Sequence, residues 1–226
     1  MITCIWLGQA GLLFNFNGTT VMVDPYLSNS CYEKNKKFVR RFPADKSFLK
    51  VRPDVLILTH NHLDHTDPQT LTQILKNPGS TLVLAPDNAW STVRGFDGSN
   101  CVLFNAGTGW TYKSLHFKAV YAAHSDNSAI GVIINFEGKN YYVTGDTLFH
   151  DKVLADITCP VEVVFLPING VGNNMNAVDA TLLAEKIGAK LAVPLHFGLF
   201  DDIDPKSFTF TNKIIPKPYQ VIFEQN

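Results

Sequence analysis

Short apolar runs separated by turn residues dominate this chain, a rhythm that predicts many strands and few long helices. Residues 2–7, 11–16 and 19–23 read as three strands, punctuated by Gly8 and by Asn17-Gly18, a dipeptide that predicts a tight hairpin. Further strands are expected over 54–58, 81–85, 101–104, 114–122, 129–136 and 140–144. Glu137-Gly138-Lys139-Asn140 joins the last pair, and their spacing suggests a meander.

Helical signals are fewer. Asp67 can cap and Pro68 suits a first helical position, which predicts a helix running to about Lys76 and stopped by Pro78-Gly79. A short helix is expected over 86–93. In the last third, a helix over 177–187, ended by Gly188, lies between strands 161–166 and 190–195 and forms a β-α-β unit. Together these elements predict a layered α/β domain with two sheets covered by helices. Lys34, Lys36, Lys37, Arg40, Arg41, Lys46, Lys50 and Arg52 make the one charge run, expected as a solvated loop or short helix rather than an anion-steering rim.

Composition narrows the picture further. With 226 residues and 46% hydrophobic content, the chain can bury a substantial core and is expected to be a single domain, 1–226. A formal net charge of -1 gives no basic field for nucleic acid. Cys4, Cys31, Cys101 and Cys159 are widely spaced, without metal or disulfide spacing, so unbridged thiols in a reducing cytoplasm are expected. The N-terminus reads as a strand rather than a signal peptide, and no apolar run reaches the length of about 20 residues that a membrane span needs. Homo-oligomerisation is left open.

The chemistry begins at Thr59-His60-Asn61-His62-Leu63-Asp64-His65, directly after the apolar run Val55-Leu56-Ile57-Leu58. Three of the seven histidines fall within six positions, beside a carboxylate. Imidazole suits zinc and similar divalent ions, while carboxylate oxygen tolerates harder metals. Later apolar runs also end in ligand-type side chains: 120–123 before His124, 141–143 before Gly145-Asp146, and 191–195 before His196. Any one of these would pass as an ordinary turn residue. Four separate strand ends in a small chain point instead to a shared metal site.

The ordered set His60, His62, Asp64, His65, His124, Asp146 and His196 resembles the metallo-β-lactamase fold superfamily. That resemblance implies a four-layer αββα sandwich of two mainly antiparallel or mixed sheets flanked by helices. It also implies a dinuclear site, with His60, His62 and His124 on one metal, Asp64, His65 and His196 on the other, and Asp146 bridging. Leu7-Gly8-Gln9-Ala10, Val23-Asp24-Pro25, Leu166-Pro167-Ile168-Asn169-Gly170, Asn174-Met175-Asn176-Ala177, Asp179-Ala180 and Pro194-Leu195-His196 are similar to the branch holding L-ascorbate-6-phosphate lactonases and related metal-dependent hydrolases. Phe197 stands where that branch commonly has Tyr, and the chain is shorter than those lactonases.

The expected activity is hydrolysis of a small anionic substrate, a lactone or a phosphodiester, by a metal-bound hydroxide. Asp64 would orient the hydroxide and pass a proton to the leaving group. Two divalent ions are the expected cofactors; the histidines favour zinc, and two carboxylates permit manganese. Asp24 is expected to support a ligating imidazole. Asn169, Asn174 and Asn176, in a loop before a helix, are candidates for binding substrate hydroxyls or phosphate. Asp126 is a weaker candidate for support, and His116 and His150 have no place in the motif. Two alternatives stand beside this reading: a thioester hydrolase of the glyoxalase II kind, and a non-enzymatic metal- or ligand-binding module retaining the fold.

Overall fold

The computed structural model describes residues 1–76, 79–96 and 100–225. The chain opens with β1 (Ile2–Gly8), β2 (Gly11–Phe16), β3 (Thr19–Val23), α1 (Ser30–Lys34), β4 (Val55–Ile57), α2 (Pro68–Ile74), β5 (Leu82–Ala85), α3 (Asp87–Val93) and β6 (Cys101–Leu103). It continues through β7 (Gly109–Tyr112), β8 (Leu115–Tyr121), β9 (Ile130–Phe136), β10 (Lys139–Val143), α4 (Asp151–Asp156), β11 (Val163–Pro167), α5 (Ala177–Lys186) and β12 (Leu191–Leu195), and ends on β13 (Val221–Gln225). These elements form two compact units, one from 1–103 with 198–202 and 216–225, the other from 104–197 with 203–215.

The first unit holds a seven-stranded mixed sheet, ordered β13-β1-β2-β3-β4-β5-β6. Asn17 and Gly18 both take positive φ (49° and 93°), the backbone a two-residue hairpin requires, and they set Phe16 opposite Thr19. From β3 onward the pairing is parallel, and β4 is buried at every position. That continuous apolar run is what a parallel strand covered on both faces needs. Leu56, Leu58 and Val83 pack with Leu71, Ile74 and Leu75 around α2 and with Ala89 and Val93 of α3. Asp67 caps α2 as expected, accepting from the amides of Gln69 and Thr70 at 3.2 and 3.1 Å. The helix ends at Ile74, short of Lys76, and the stop expected at Pro78 lies outside the described residues.

The second unit holds a six-stranded mixed sheet, ordered β12-β11-β10-β9-β8-β7. β8, β9 and β10 form the expected antiparallel meander. β11, α5 and β12 form the expected β-α-β unit with parallel strands. Asn176 caps α5 by accepting from the amides of Val178 and Asp179, both at 2.9 Å. Two mixed sheets with helices meet the α/β expectation. The reading passed over three elements: β7, an exposed edge strand, β13, which pairs with β1, and α4, capped by His150. The basic run contains α1 and a 3₁₀ turn at Lys46–Lys50, with irregular backbone between.

Candidate metal centre

Strand direction determines where the ligand-type side chains emerge. β1 and β3 both run antiparallel to β2, and β4 pairs parallel with β3, so β1, β3 and β4 all point the same way. Gln9, Asp24 and the 59–65 turn follow the C-terminal ends of these three strands, on one edge of the first sheet.

Asp24 organises that edge. It is fully buried and takes a left-handed backbone (φ 43°), with its amide donating to Ile57 O at 3.0 Å. Its carboxylate accepts from the Thr59 amide at 2.8 Å and the Thr59 hydroxyl at 2.5 Å, and it lies 2.8 Å from His65 Nδ1. Facing an acceptor, His65 Nδ1 carries the proton, which puts the ring's lone pair on Nε2. The Thr59 hydroxyl has one hydrogen and spends it on Asp24. Its 3.1 Å contact with His60 Nδ1 is therefore an Nδ1–H donating to Oγ1, and the His60 lone pair also falls on Nε2.

The turn closes on itself, with the amides of His65 and Thr66 donating to His62 O at 3.0 and 2.8 Å and the Thr66 hydroxyl donating to His60 O at 2.7 Å. Ring centroids of His60 stand 4.6 Å from His62 and 4.0 Å from His65, and ligand atoms of Asp24, His60 and His65 lie within 4.8 Å of one another. His62 is exposed and Asp64 half-buried. Asp64 Oδ2 accepts from Gln9 Nε2 at 2.8 Å and lies 3.9 Å from His65 Nε2. Close by, burial pushes the Cys31 thiol up to about 11, with the charges of Asp64 and Asp67 adding to the rise.

The second unit repeats the device. β8 and β10 both run antiparallel to β9, while β10, β11 and β12 are mutually parallel, so four strands end on one edge. His124, Asp146, Asn169 and His196 follow those ends. Asp146 Oδ2 accepts from Asn174 Nδ2 at 2.8 Å and lies 3.3 Å from His196 Nε2, all three residues being buried. His124 Nδ1 faces the Asn173 carbonyl at 3.2 Å, so here too the proton sits on Nδ1 and the lone pair on Nε2. Thr147 ties the loops together: its hydroxyl accepts from the Ala123 amide and its carbonyl from the Met175 amide, both at 2.9 Å.

Sequence reasoning singled out Asp24, His60, Asp64 and His65, which the first unit brings to one edge, and His124, Asp146, Asn169, Asn174 and His196, which the second does. Asn176 serves as the cap of α5. Asp126 Oδ1 turns back on Ser128, accepting from its amide and hydroxyl at 2.8 Å. His116 contacts Thr111 within a hairpin. Two supporting residues were missed, Thr59 and Gln9. A hydroxyl beside a motif histidine was a readable hint for Thr59; nothing local pairs Gln9 with a carboxylate 55 positions away. In the first unit, Asp24, His60 and His65 offer ligand atoms within 4.8 Å of one another, imidazole nitrogens beside a carboxylate, a donor set that fits a divalent cation.

Comparison with known proteins agrees with this chemistry. The β-lactamase superfamily domain profile matches residues 19–197. A UPF0173 metal-dependent hydrolase of Listeria innocua is 31% identical over 216 residues, covering 89% of this chain and 88% of the relative. The structure of Igni18, a metallo hydrolase from the archaeon Ignicoccus hospitalis, aligns over 100% of this chain and 99% of its own with a TM-score of 0.75 at 21% identity. The metallo-β-lactamase fold protein YhfI of Bacillus subtilis aligns over 97% and 98% with a TM-score of 0.71 at 17% identity. These two likenesses establish the fold, and the sequence relative carries the family. By fold, by motif and by sequence, this chain belongs to the UPF0173 metal-dependent hydrolases of the β-lactamase superfamily.

Proposed function

We propose that the chain is one hydrolase domain, 1–226, in which His60, His62, Asp64, His65, His124, Asp146 and His196 hold two divalent ions. The observation that carries this reading is the proton placement: His60, His65 and His124 each direct Nδ1–H to an acceptor, which presents Nε2 as the ligand atom. Zinc suits this imidazole-rich set, and Asp64 and Asp146 also accommodate manganese. Bound divalent ions would supply an acidified water at neutral pH and positive charge opposite a developing oxyanion. Asp64, half-buried and anchored by Gln9, is suited to hold a proton and pass it to a leaving group. Asn174 orients Asp146. Asn169 Oδ1, buried without a hydrogen-bond partner among the described residues, is suited to accept from a substrate hydroxyl.

The charge balance supports a small anionic substrate, a lactone or a phosphodiester. Two dications against two carboxylates and a hydroxide leave a net positive centre. We place the activity in the cytoplasm; the buried thiols Cys4 and Cys31 suit a reducing compartment, and among the described residues no helix is long and apolar enough to cross a membrane.

The test is chelation followed by separate restoration with zinc and manganese, assayed on sugar-acid lactones and on cyclic and linear phosphodiesters. Activity should disappear with the metal and return with it. His62→Ala should lose bound metal and hydrolysis while keeping its circular dichroism spectrum. Full activity in that variant would refute the ligand set, and a metal-loaded protein inert on all substrates, thioesters included, would favour a non-enzymatic binding module.

A further inference from the structure

Gln9 is an unexpected residue at the 59–65 edge. It is buried, at 2% exposure, and adopts a left-handed backbone (φ 51°) that residues other than glycine seldom take. The indole Nε1 of Trp6, itself buried, donates to Gln9 O at 2.9 Å and holds the backbone in that bend. Gly8, also at positive φ (86°), lets the chain turn sharply at the end of β1. This local construction aims the side chain at Asp64: Gln9 Nε2 donates to Asp64 Oδ2 at 2.8 Å.

A carboxylate attached through a single methylene rotates readily about its last torsion, whose energy profile is broad. Asp64 is half-buried in a tight turn that the amides of His65 and Thr66 and the Thr66 hydroxyl close onto the carbonyls of His62 and His60. Gln9, whose own backbone is strained into place, donates to the Asp64 carboxylate from outside the turn. Strain of this kind persists only where surrounding structure over-determines it and gathers at functional positions.

We infer that Gln9 is a positioning residue: its amide sets the rotation of the Asp64 carboxylate, and thereby the affinity of Asp64 for its cation and its competence to move a proton. This rests on the role of Asp64 proposed above. A neutral amide suits the task, because it donates a hydrogen bond without adding a charge that would compete with a cation for the carboxylate.

Two substitutions separate positioning from packing. Gln9→Met keeps length and approximate volume but removes the donor. Gln9→Asn keeps the amide and tolerates the left-handed backbone, but is one methylene too short to reach. Each purified protein is stripped with chelator and titrated with zinc and with manganese alone, in competition with a chromophoric chelator, alongside thermal melts of the metal-free form. Both variants should weaken the looser of the bound ions roughly 10–100-fold, the range found when a ligand loses its supporting bond, with the metal-free melting temperature of Gln9→Asn near that of the parent. On an identified substrate, kcat should fall with KM little changed.

Zinc and manganese affinities within twofold of the parent in both variants would overturn the inference. If His62→Ala loses metal while the Gln9 variants bind normally, the positioning role alone fails. Should His62→Ala keep its metal and activity, the ligand set fails, and the role of Gln9 falls with it.

Discussion

Replacing Asp24 by Asn tests the proton logic of the site most directly. Asn occupies the same volume and tolerates the left-handed φ of 43°, so the backbone has no reason to move. What changes is the pattern of donors and acceptors. The native carboxylate receives two hydrogen bonds from Thr59, on different oxygens, and the His65 contact on the oxygen shared with the hydroxyl. An amide offers one acceptor and one donor in their place. If its oxygen stays opposite the Thr59 amide, its NH₂ group faces the Thr59 hydroxyl and His65 Nδ1. The hydroxyl can reverse, but the imidazole must move its proton to Nε2, the atom that would bind metal. If the amide flips, its NH₂ group confronts the Thr59 N–H, a donor that cannot reverse. Both arrangements carry a penalty.

The magnitude follows from the burial. One mismatched buried donor costs about 1–3 kcal/mol. In a chain of this size each kcal/mol moves the melting temperature by roughly 2–4 °C. Metal-free Asp24→Asn should therefore melt roughly 2–12 °C lower, and its metal affinity should drop roughly 10–100-fold because the supported imidazole is mis-protonated. Differential scanning calorimetry of the metal-free protein and chelator competition of the reloaded protein read the two effects separately. A melting temperature within 1 °C and an affinity within twofold of the parent would refute the assignment of the proton to Nδ1 of His65.

Two further predictions concern the scaffold. A Cβ on Gly131 would lie 2.9 Å from Tyr142 Cε2 and 3.0 Å from Thr144 O, inside the sheet that carries Asp146, so Gly131→Ala should lose about 1–3 kcal/mol and lower the melting temperature in a thermal scan; an unchanged melt would show that the sheet adjusts freely. The raised Cys31 thiol should be protonated at pH 8, carrying roughly 200-fold less thiolate than an unperturbed cysteine, so alkylation followed by peptide mapping should find Cys31 nearly inert in the native protein, faster as pH rises toward 11, and fully reactive in urea. Equal native and denatured rates at pH 8 would contradict its buried setting.

Where hydrophobic patterning carried the signal, the sequence was readable. Val55–Ile57 ran as a buried strand because a parallel strand covered on both faces needs uninterrupted apolar side chains. Asn17-Gly18, Asp67-Pro68 and Gly188 marked turns and helix ends because their backbone chemistry is local. β7 escaped because an exposed edge strand, Gly109-Trp110-Thr111-Tyr112, has no buried face to impose alternation. The strand-end histidines and aspartates stood out as candidates because few residue types can bind a metal. Their supports stood out less: Asp24 was legible only as a candidate, while Gln9 reaches Asp64, and Asn174 reaches Asp146 over 28 positions, through folding alone.

Backbone strain gives these scattered supports a common cause. Eight described non-glycine residues take positive φ. Asn17, Lys113 and Glu137 do so in hairpin turns, Asn17 and Glu137 each paired with a following glycine also at positive φ, as the twist of the strands favours. Four others are Gln9, Asp24, Asn173 and His196, and each is either a candidate ligand or bonded to one. Left-handed geometry at a strand end sharply redirects the chain, so the side chain emerges over the edge of the sheet instead of continuing its pleat. Hydrophobic burial cannot favour that direction, since the redirected residue leaves the core pattern. The hydrogen bonds from Trp6 to Gln9 and from Thr59 to Asp24 offset the strain in the first unit. It follows that the strain should diminish in variants lacking those bonds, and that the imidazole and carboxylate orientations depend on polar contacts at the sheet edge more than on the cores beneath them.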